Sequence, residues 1–211
     1  MAHRVRTKVC GITTLAEARA AVAAGADAIG LVFAERSARR LSVVEAATIA
    51  RAVPPFVARV ALFMDDDAHS IGQVLKNVPI DTIQFHGRET PEYCRGFGRS
   101  YIKAVPMGEP GIELSQWAAN YHDAPGLLLD ANRAGQAGGS GETFDWQQEV
   151  ESVEHPIIVA GGLHADNVGQ AITRFAPYAV DVSSGVEQER GVKSNAKMKA
   201  FIDAVTQAGH V

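Results

Sequence analysis

The sequence predicts an α/β protein folded as a single (β/α)8 TIM barrel. Short apolar runs alternate with stretches of helical periodicity from one end of the chain to the other, which argues for a parallel sheet with helical crossovers. Eight such units fit into 211 residues, at roughly 26 residues each, the size of a compact eightfold barrel. An open, doubly wound sheet is the competing architecture. It usually has fewer units, and no GxGxxG follows the first run here. Residues 1–211 read as one domain, with no linker or low-complexity tract between units.

Taken in order, the strand candidates are residues 7–9, 28–33, 57–63, 82–85, 101–105, 126–129, 156–160 and 179–182. Runs such as Leu127-Leu128-Leu129 are apolar at every position, as expected for strands buried on both faces. A helix candidate follows each. The first carries a capping box, Thr14 with Glu17, and a stop at Gly25. Ile71, Val74, Leu75 and Val78 repeat at i, i+3, i+4, i+7. So do Val168, Ala171, Ile172 and Phe175, and again Met198, Phe201, Ile202 and Val205. The fifth helix, around residues 112–121, has the poorest pattern and follows Pro110-Gly111.

Composition narrows the function classes. At 46% hydrophobic and 21% charged residues the chain suits a soluble domain with a large core. No apolar run reaches the ~18 residues of a membrane span. The N-terminus lacks the apolar stretch of a secretory signal. A net charge of -4 without a basic tract argues against nucleic acid as a partner. Cys10 and Cys94 form no CxxC or disulfide framework, which fits a cytoplasmic location. The seven histidines are scattered, so no metal site is expected.

Barrels of this kind carry their chemistry at the C-terminal ends of the strands. Asp130 ends the sixth run and precedes a long loop containing Gly135, Gly138, Gly139 and Gly141, before Phe144-Asp145-Trp146. It is either a proton donor presented by a buried strand or a turn-former. Cys10 ends the first run, either as a thiolate whose pKa a helix N-terminus lowers or as a small buried hydrophobe. Arg36, Arg39 and Arg40 follow the second run, as a clamp for a carboxylate or as a solvated basic loop. His86 either orients a substrate or is a satisfied strand-end histidine. Gly161-Gly162 and Ser183-Ser184-Gly185 end the seventh and eighth runs. There, backbone N–H groups and a short following helix suit a phosphate; the alternative is a tight turn and a helix cap.

Together these motifs resemble the phosphoribosylanthranilate isomerases of tryptophan biosynthesis. The resemblance rests on KVCGIT at residues 8–13, GLVF and SARR within residues 30–40, and IQFHG at residues 83–87. It continues through LLLDA with GGSGETFDW, VAGGL with Asn167-Val168, and VDVSSGVE. It covers essentially the whole chain and implies an Amadori rearrangement. In that reaction N-(5-phosphoribosyl)anthranilate becomes 1-(2-carboxyphenylamino)-1-deoxyribulose 5-phosphate. By resemblance, Cys10 is the general base, Asp130 the general acid and Arg39 the anthranilate-carboxylate ligand. Gly161, Gly162, Ser183, Ser184 and Gly185 hold the phosphate, and His86 and Asp181 lie near the substrate. An acid protonates the ring oxygen, the ring opens to an iminium, and a base removes the proton on C2. One acid and one base suffice, so no cofactor is expected. The only partner implied is the phosphorylated small molecule, for a monomer or a homodimer. For this proton flow the Cys10 pKa is expected below its ordinary value, helped by the first helix and Lys8, and that of Asp130 above its own.

Three positions depart from the family pattern. Ala38 stands for a proline in the arginine loop, Ala165 for a proline opening the seventh helix, and Ser194 for an aspartate before the last helix. Two neighbouring barrel activities fit less well. A sugar-phosphate epimerase needs metal-binding histidines and carboxylates, and the histidine-pathway isomerase places an aspartate where Cys10 stands. A non-catalytic phosphosugar-binding protein remains the third class; it would bind a product analogue without turnover.

Overall fold

The computed structural model describes residues 4–131 and 151–209. Eight parallel strands form a closed barrel: β1 (Arg6–Cys10), β2 (Ala28–Val32), β3 (Ala58–Phe63), β4 (Thr82–Phe85), β5 (Ser100–Pro106), β6 (Gly126–Asp130), β7 (Ile157–Val159) and β8 (Ala179–Val182). Closure comes from β8 pairing with β1, Arg6 opposite Ala179 and Val9 opposite Val182. The eight expected strands are therefore all present, within a residue or two of their predicted ends.

Six helices lie between strands and one follows the last: α1 (Leu15–Ala24), α2 (Val43–Arg51), α3 (Ala68–Asn77), α4 (Pro91–Arg95), α5 (Leu114–Asn120), α6 (Val168–Phe175) and α7 (Asn195–Ala208). The helix expected between β6 and β7, and the glycine-rich stretch from Gly135 to Trp146, lie outside the described residues. Local chemistry sets the helix starts. Thr14 and Glu17 form the predicted capping box of α1, and Gly25 ends that helix. Ser42 and Glu45 do the same for α2, and Asp67 caps α3. The two departures at helix starts cost the fold little. Ala165 lies in the turn before α6 rather than in the helix, and Ser194 caps α7 by accepting a hydrogen bond from the N–H of Lys197.

Alternation along each strand sorts side chains into two cores. Ile29, Leu31, Phe63, Ile83, Phe85, Leu127 and Leu129 face outward and join the apolar stripes of the helices. Met198, Phe201, Ile202 and Val205 of α7 are all buried there, each contributing about 1.5–3 kcal/mol. Inside the barrel, Ala104, Leu128, Ile158, Ala160 and Ala179 fill one part, and Cys10, Val32, Ala34, Leu62 and Met64 another. The same inward alternation brings Lys8, Gln84, His86, Asp130 and Asp181 toward the C-terminal end. That half of the interior is polar, and the site lies there.

One element was not foreseen. After β8 the chain makes a single 3₁₀ turn, Ser184–Val186, then a small hairpin of β9 (Glu187–Glu189) and β10 (Val192–Lys193). The short helix expected after the eighth strand is only this turn. Arg190-Gly191 between two polar strands was the sequence signal for the hairpin.

Among the described residues no helix is long and apolar enough to cross a membrane. No group of three or more His, Cys, Asp or Glu side chains is arranged to hold a metal there.

Candidate active site

A cavity of about 570 Å³ opens at the C-terminal end of the barrel. Cys10, Arg36, Arg39, Gln84, His86, Arg88, Asp130, Gly161, Gly162, Asp181, Ser183 and Ser184 line it. The C-terminal ends of β1, β2, β3, β4, β6, β7 and β8 thus converge on one space, as their order around the closed sheet requires.

Cys10 occupies one wall. Its sulfur packs against the bare Cα of Gly30 on β2, 2.7 Å from where a Cβ would stand. Any side chain at Gly30 would displace it. Lys8 lies one inward position below and donates from Nζ to both carboxylate oxygens of Asp181, each at 2.9 Å. Asp181 and Cys10 together hold the Lys8 pKa above its ordinary value, against the burial that would lower it. The expected lowering at Cys10 is not what the surroundings produce. Burial pushes the thiol up, and the attraction of Lys8 and Lys193 offsets this only in part. The first helix gives no relief, because its N-terminus is already occupied. Glu17, itself buried, accepts from the N–H groups of Thr13 and Thr14 and from that of Lys193.

Asp130 ends β6, three strands round the barrel from Cys10 on β1. The two readings of His86 are separated by geometry: Nε2 lies 3.0 Å from Oδ2 of Asp130, so the ring is directed at the carboxylate. Its Nδ1 lies 3.0 Å from Nε2 of Gln84, two residues back on the same inward face of β4. The amide can only donate in that contact, so the neutral ring carries its proton on Nε2 and donates it to Asp130. The sequence reading did not single out Gln84; the period of two that brings it beside His86 was the available signal.

The arginine loop is not a uniformly solvated one. Arg39 is 6% exposed and makes a bidentate pair with Glu187 of β9, Nε to Oε1 at 2.6 Å and Nη2 to Oε2 at 2.9 Å. Lys193 of β10 donates to the same Oε1 at 2.8 Å and to the carbonyl of Ser183 at 3.0 Å. Two cations against one carboxylate leave this wall net positive. Burial disfavours the Glu187 charge, yet the bonds from Arg39 and Lys193 prevail and bring its pKa down to about 2. Arg36 lines the same cavity, whereas Arg40 lines a separate groove beside Asp66, between α2 and α3.

Gly161, Gly162, Ser183 and Ser184 line the cavity at the ends of the neighbouring strands β7 and β8. Asn167 ties the first loop, its side chain donating to the carbonyl of Gly162 and accepting from the N–H of His164. Gly185 does not line the cavity. It lies against the backbone of Leu163, where a Cβ would collide with the carbonyl oxygen. Its role here is to let the two loops approach.

A buried network beneath the rim also escaped the sequence reading. Lys103 of β5, fully buried, donates to Glu89 at 2.8 Å and to the carbonyl of Gly87 at 2.5 Å. Glu89 accepts from the N–H groups of Asp65 and Gly87, and Tyr121 donates to its carbonyl. These bonds fix the loop that follows His86.

Residues 7–204 match the family model described as N-(5'-phosphoribosyl)anthranilate (PRA) isomerase. The N-(5'-phosphoribosyl)anthranilate isomerase of Pseudomonas putida (strain GB-1) is 50% identical over 204 residues, covering 97% of this chain and 98% of that protein. The crystal structure of phosphoribosyl anthranilate isomerase from Thermus thermophilus superposes with a TM-score of 0.85 at 35% identity, covering 96% of this chain and 99% of that one. A phosphoribosyl anthranilate isomerase in complex with reduced 1-(o-carboxyphenylamino)-1-deoxyribulose 5-phosphate matches with a TM-score of 0.80 at 36% identity, over 96% of this chain and 99% of that one.

Proposed function

The chain belongs to the N-(5'-phosphoribosyl)anthranilate isomerase family, and from that premise we propose how its own residues carry the reaction. The activity is isomerisation of a phosphorylated small molecule in tryptophan biosynthesis. Asp130 is the general acid and Cys10 the general base. The observation that carries this assignment is that both line one cavity, on strands three apart in the barrel, the carboxylate held by His86 and the sulfur beside Lys8.

Asp130 gives its proton to the furanose ring oxygen, and the ring opens to an iminium. Cys10 then takes the proton from C2, leaving an enolamine that tautomerises to the ketone. The net positive wall of Arg39 and Lys193 attracts the anthranilate carboxylate, with Glu187 setting the plane of the guanidinium. The backbone of Gly161-Gly162 and Ser183-Ser184 receives the phosphate. Asp181 acts through Lys8, keeping its ammonium charged beside the sulfur. The site needs no bound cofactor for these proton transfers. The reaction belongs in the cytoplasm, with a monomer or homodimer as the working unit.

The test is a fluorescence assay for loss of phosphoribosylanthranilate by purified protein. The parent should turn over. Asp130→Asn and Cys10→Ser should nearly abolish kcat while still binding the reduced product analogue. Asp130→Asn with most of its kcat, or Cys10→Ala as fast as the parent, would overturn the assignment.

A further inference from the structure

Gln84 is completely buried, lines the cavity and is used in only one direction. Its Nε2 meets His86 Nδ1 at 3.0 Å. Its Oε1 is a buried side-chain acceptor without a hydrogen-bond partner among the described residues. An unmet buried acceptor typically costs about 1–3 kcal/mol. Leucine or methionine would fill the position without that cost, so a polar side chain here needs a reason. The amide's two ends point to a double task.

We propose that Gln84 is a further residue of the acid side of this site: its amide N–H fixes the His86 ring, and its Oε1 accepts a hydrogen bond from a hydroxyl or amine N–H of the bound substrate. The inference rests on the isomerase reading above. His86 can serve Asp130 as a donor only while its proton sits on Nε2, and nothing in an isolated imidazole guarantees that tautomer. A donor on Nδ1 selects it, because Nδ1 must then be the bare nitrogen. The Oε1 end has a different consequence. Its missing partner is regained only when a ligand brings a donor. The substrate of this reaction has two kinds, the anilino N–H and the ribose hydroxyls. Binding of the correct ligand therefore satisfies an atom that the empty site leaves unsatisfied, and one amide links substrate recognition to the orientation of the acid.

Three measurements test it. In the parent protein, ¹⁵N shifts of His86 should show a bare Nδ1 and a protonated Nε2 at neutral pH; a proton on Nδ1 overturns the positioning role without needing any variant. Gln84→Met keeps the length and removes both polar ends. It should mix the His86 tautomers, lower kcat about tenfold and weaken the reduced product analogue by roughly three- to tenfold, with a melting temperature no lower than the parent's. Unchanged tautomer, kcat and affinity would sink the proposal and leave the roles of Cys10 and Asp130 intact. Failure of the isomerase reading would instead show in the parent, as absent turnover. Finally, analogues with the bridging amine replaced by ether oxygen, or lacking one ribose hydroxyl, identify the donor. The partner group is the one whose removal weakens the parent but not Gln84→Met. If no analogue shows that coupling, Oε1 does not bind substrate.

Discussion

Arg39 donates to both oxygens of Glu187, at 2.6 and 2.9 Å, although the two residues are 148 positions apart in the chain. The pair joins the loop after β2 to the hairpin after β8, and it does so at the wall of the cavity. The buried guanidinium thus engages a carboxylate of its own chain through two of its donors. The guanidinium is consequently held in one plane before any ligand arrives.

Two outcomes follow for this pair. Arg39→Ala should lower kcat/KM about tenfold or more, through loss of a charge-assisted contact of about 1.5–3 kcal/mol. Glu187→Gln leaves two cations facing a neutral amide and should cost about 3–5 kcal/mol of stability. The Glu187 pKa is depressed to about 2 from 4.5, so its contribution is fully present above pH 4.5 and disappears as the pH falls toward 2. Chemical denaturation between pH 2 and 6 should show a shallower acid loss in Glu187→Gln than in the parent. Equal slopes would mean that the pair does not set acid stability. An unchanged kcat/KM in Arg39→Ala, with a large loss in Arg36→Ala, would move the carboxylate site to Arg36.

Cys10 sits where burial holds the thiol above its ordinary value, so the free protein carries it protonated at neutral pH. As the proposed base, Cys10 must lose that proton before it can work, and kcat/KM should therefore rise with pH through and beyond neutrality. Iodoacetamide should alkylate Cys10 slowly at pH 7 and faster in alkali, following the same curve. Removing the lysine charge with Lys8→Met should shift both curves further to high pH. Rapid alkylation at pH 7 in the parent would contradict the burial argument.

The phosphate loops give a third expectation. Inorganic phosphate should compete with substrate at roughly millimolar concentration and raise the melting temperature by mass action. Gly185→Ala forces a methyl group into the Leu163 carbonyl. It should cost about 1–3 kcal/mol and raise KM as the loops move apart. Purely noncompetitive inhibition by phosphate, or a Gly185→Ala protein with parental KM, would disprove the shared site.

Lys103 and Glu89 supply the fourth. Lys103→Met strands a buried carboxylate and should cost about 3–5 kcal/mol, with a fall in kcat because Gly87 loses its tether beside His86. Adding Glu89→Gln to Lys103→Met removes the stranded charge and should recover much of the stability. A double variant no more stable than Lys103→Met would show that the bonds of Glu89 to Asp65 and Gly87 matter more than its charge.

By itself the sequence determined the number, order and approximate limits of the barrel strands, because strands buried on both faces are largely apolar. It also determined the caps of α1, whose Thr14, Glu17 and Gly25 act within one turn of the residues they serve. The residues gathered around the cavity were legible for a related reason: in a closed parallel barrel every strand's C-terminal end reaches the same mouth. Only the tertiary structure decided which of those residues touch. Arg39 with Glu187, Lys8 with Asp181 and His86 with Asp130 are separated by 148, 173 and 44 positions, and no local spacing encodes such pairs. It also decided the sign at Cys10. Proximity to a lysine and a helix start suggested a lowered pKa, but burial depends on what closes around the sulfur, and Glu17 had already taken the helix N-terminus. Local periodicity fixes elements; electrostatic character depends on the three-dimensional environment, and that exists only after the chain has closed.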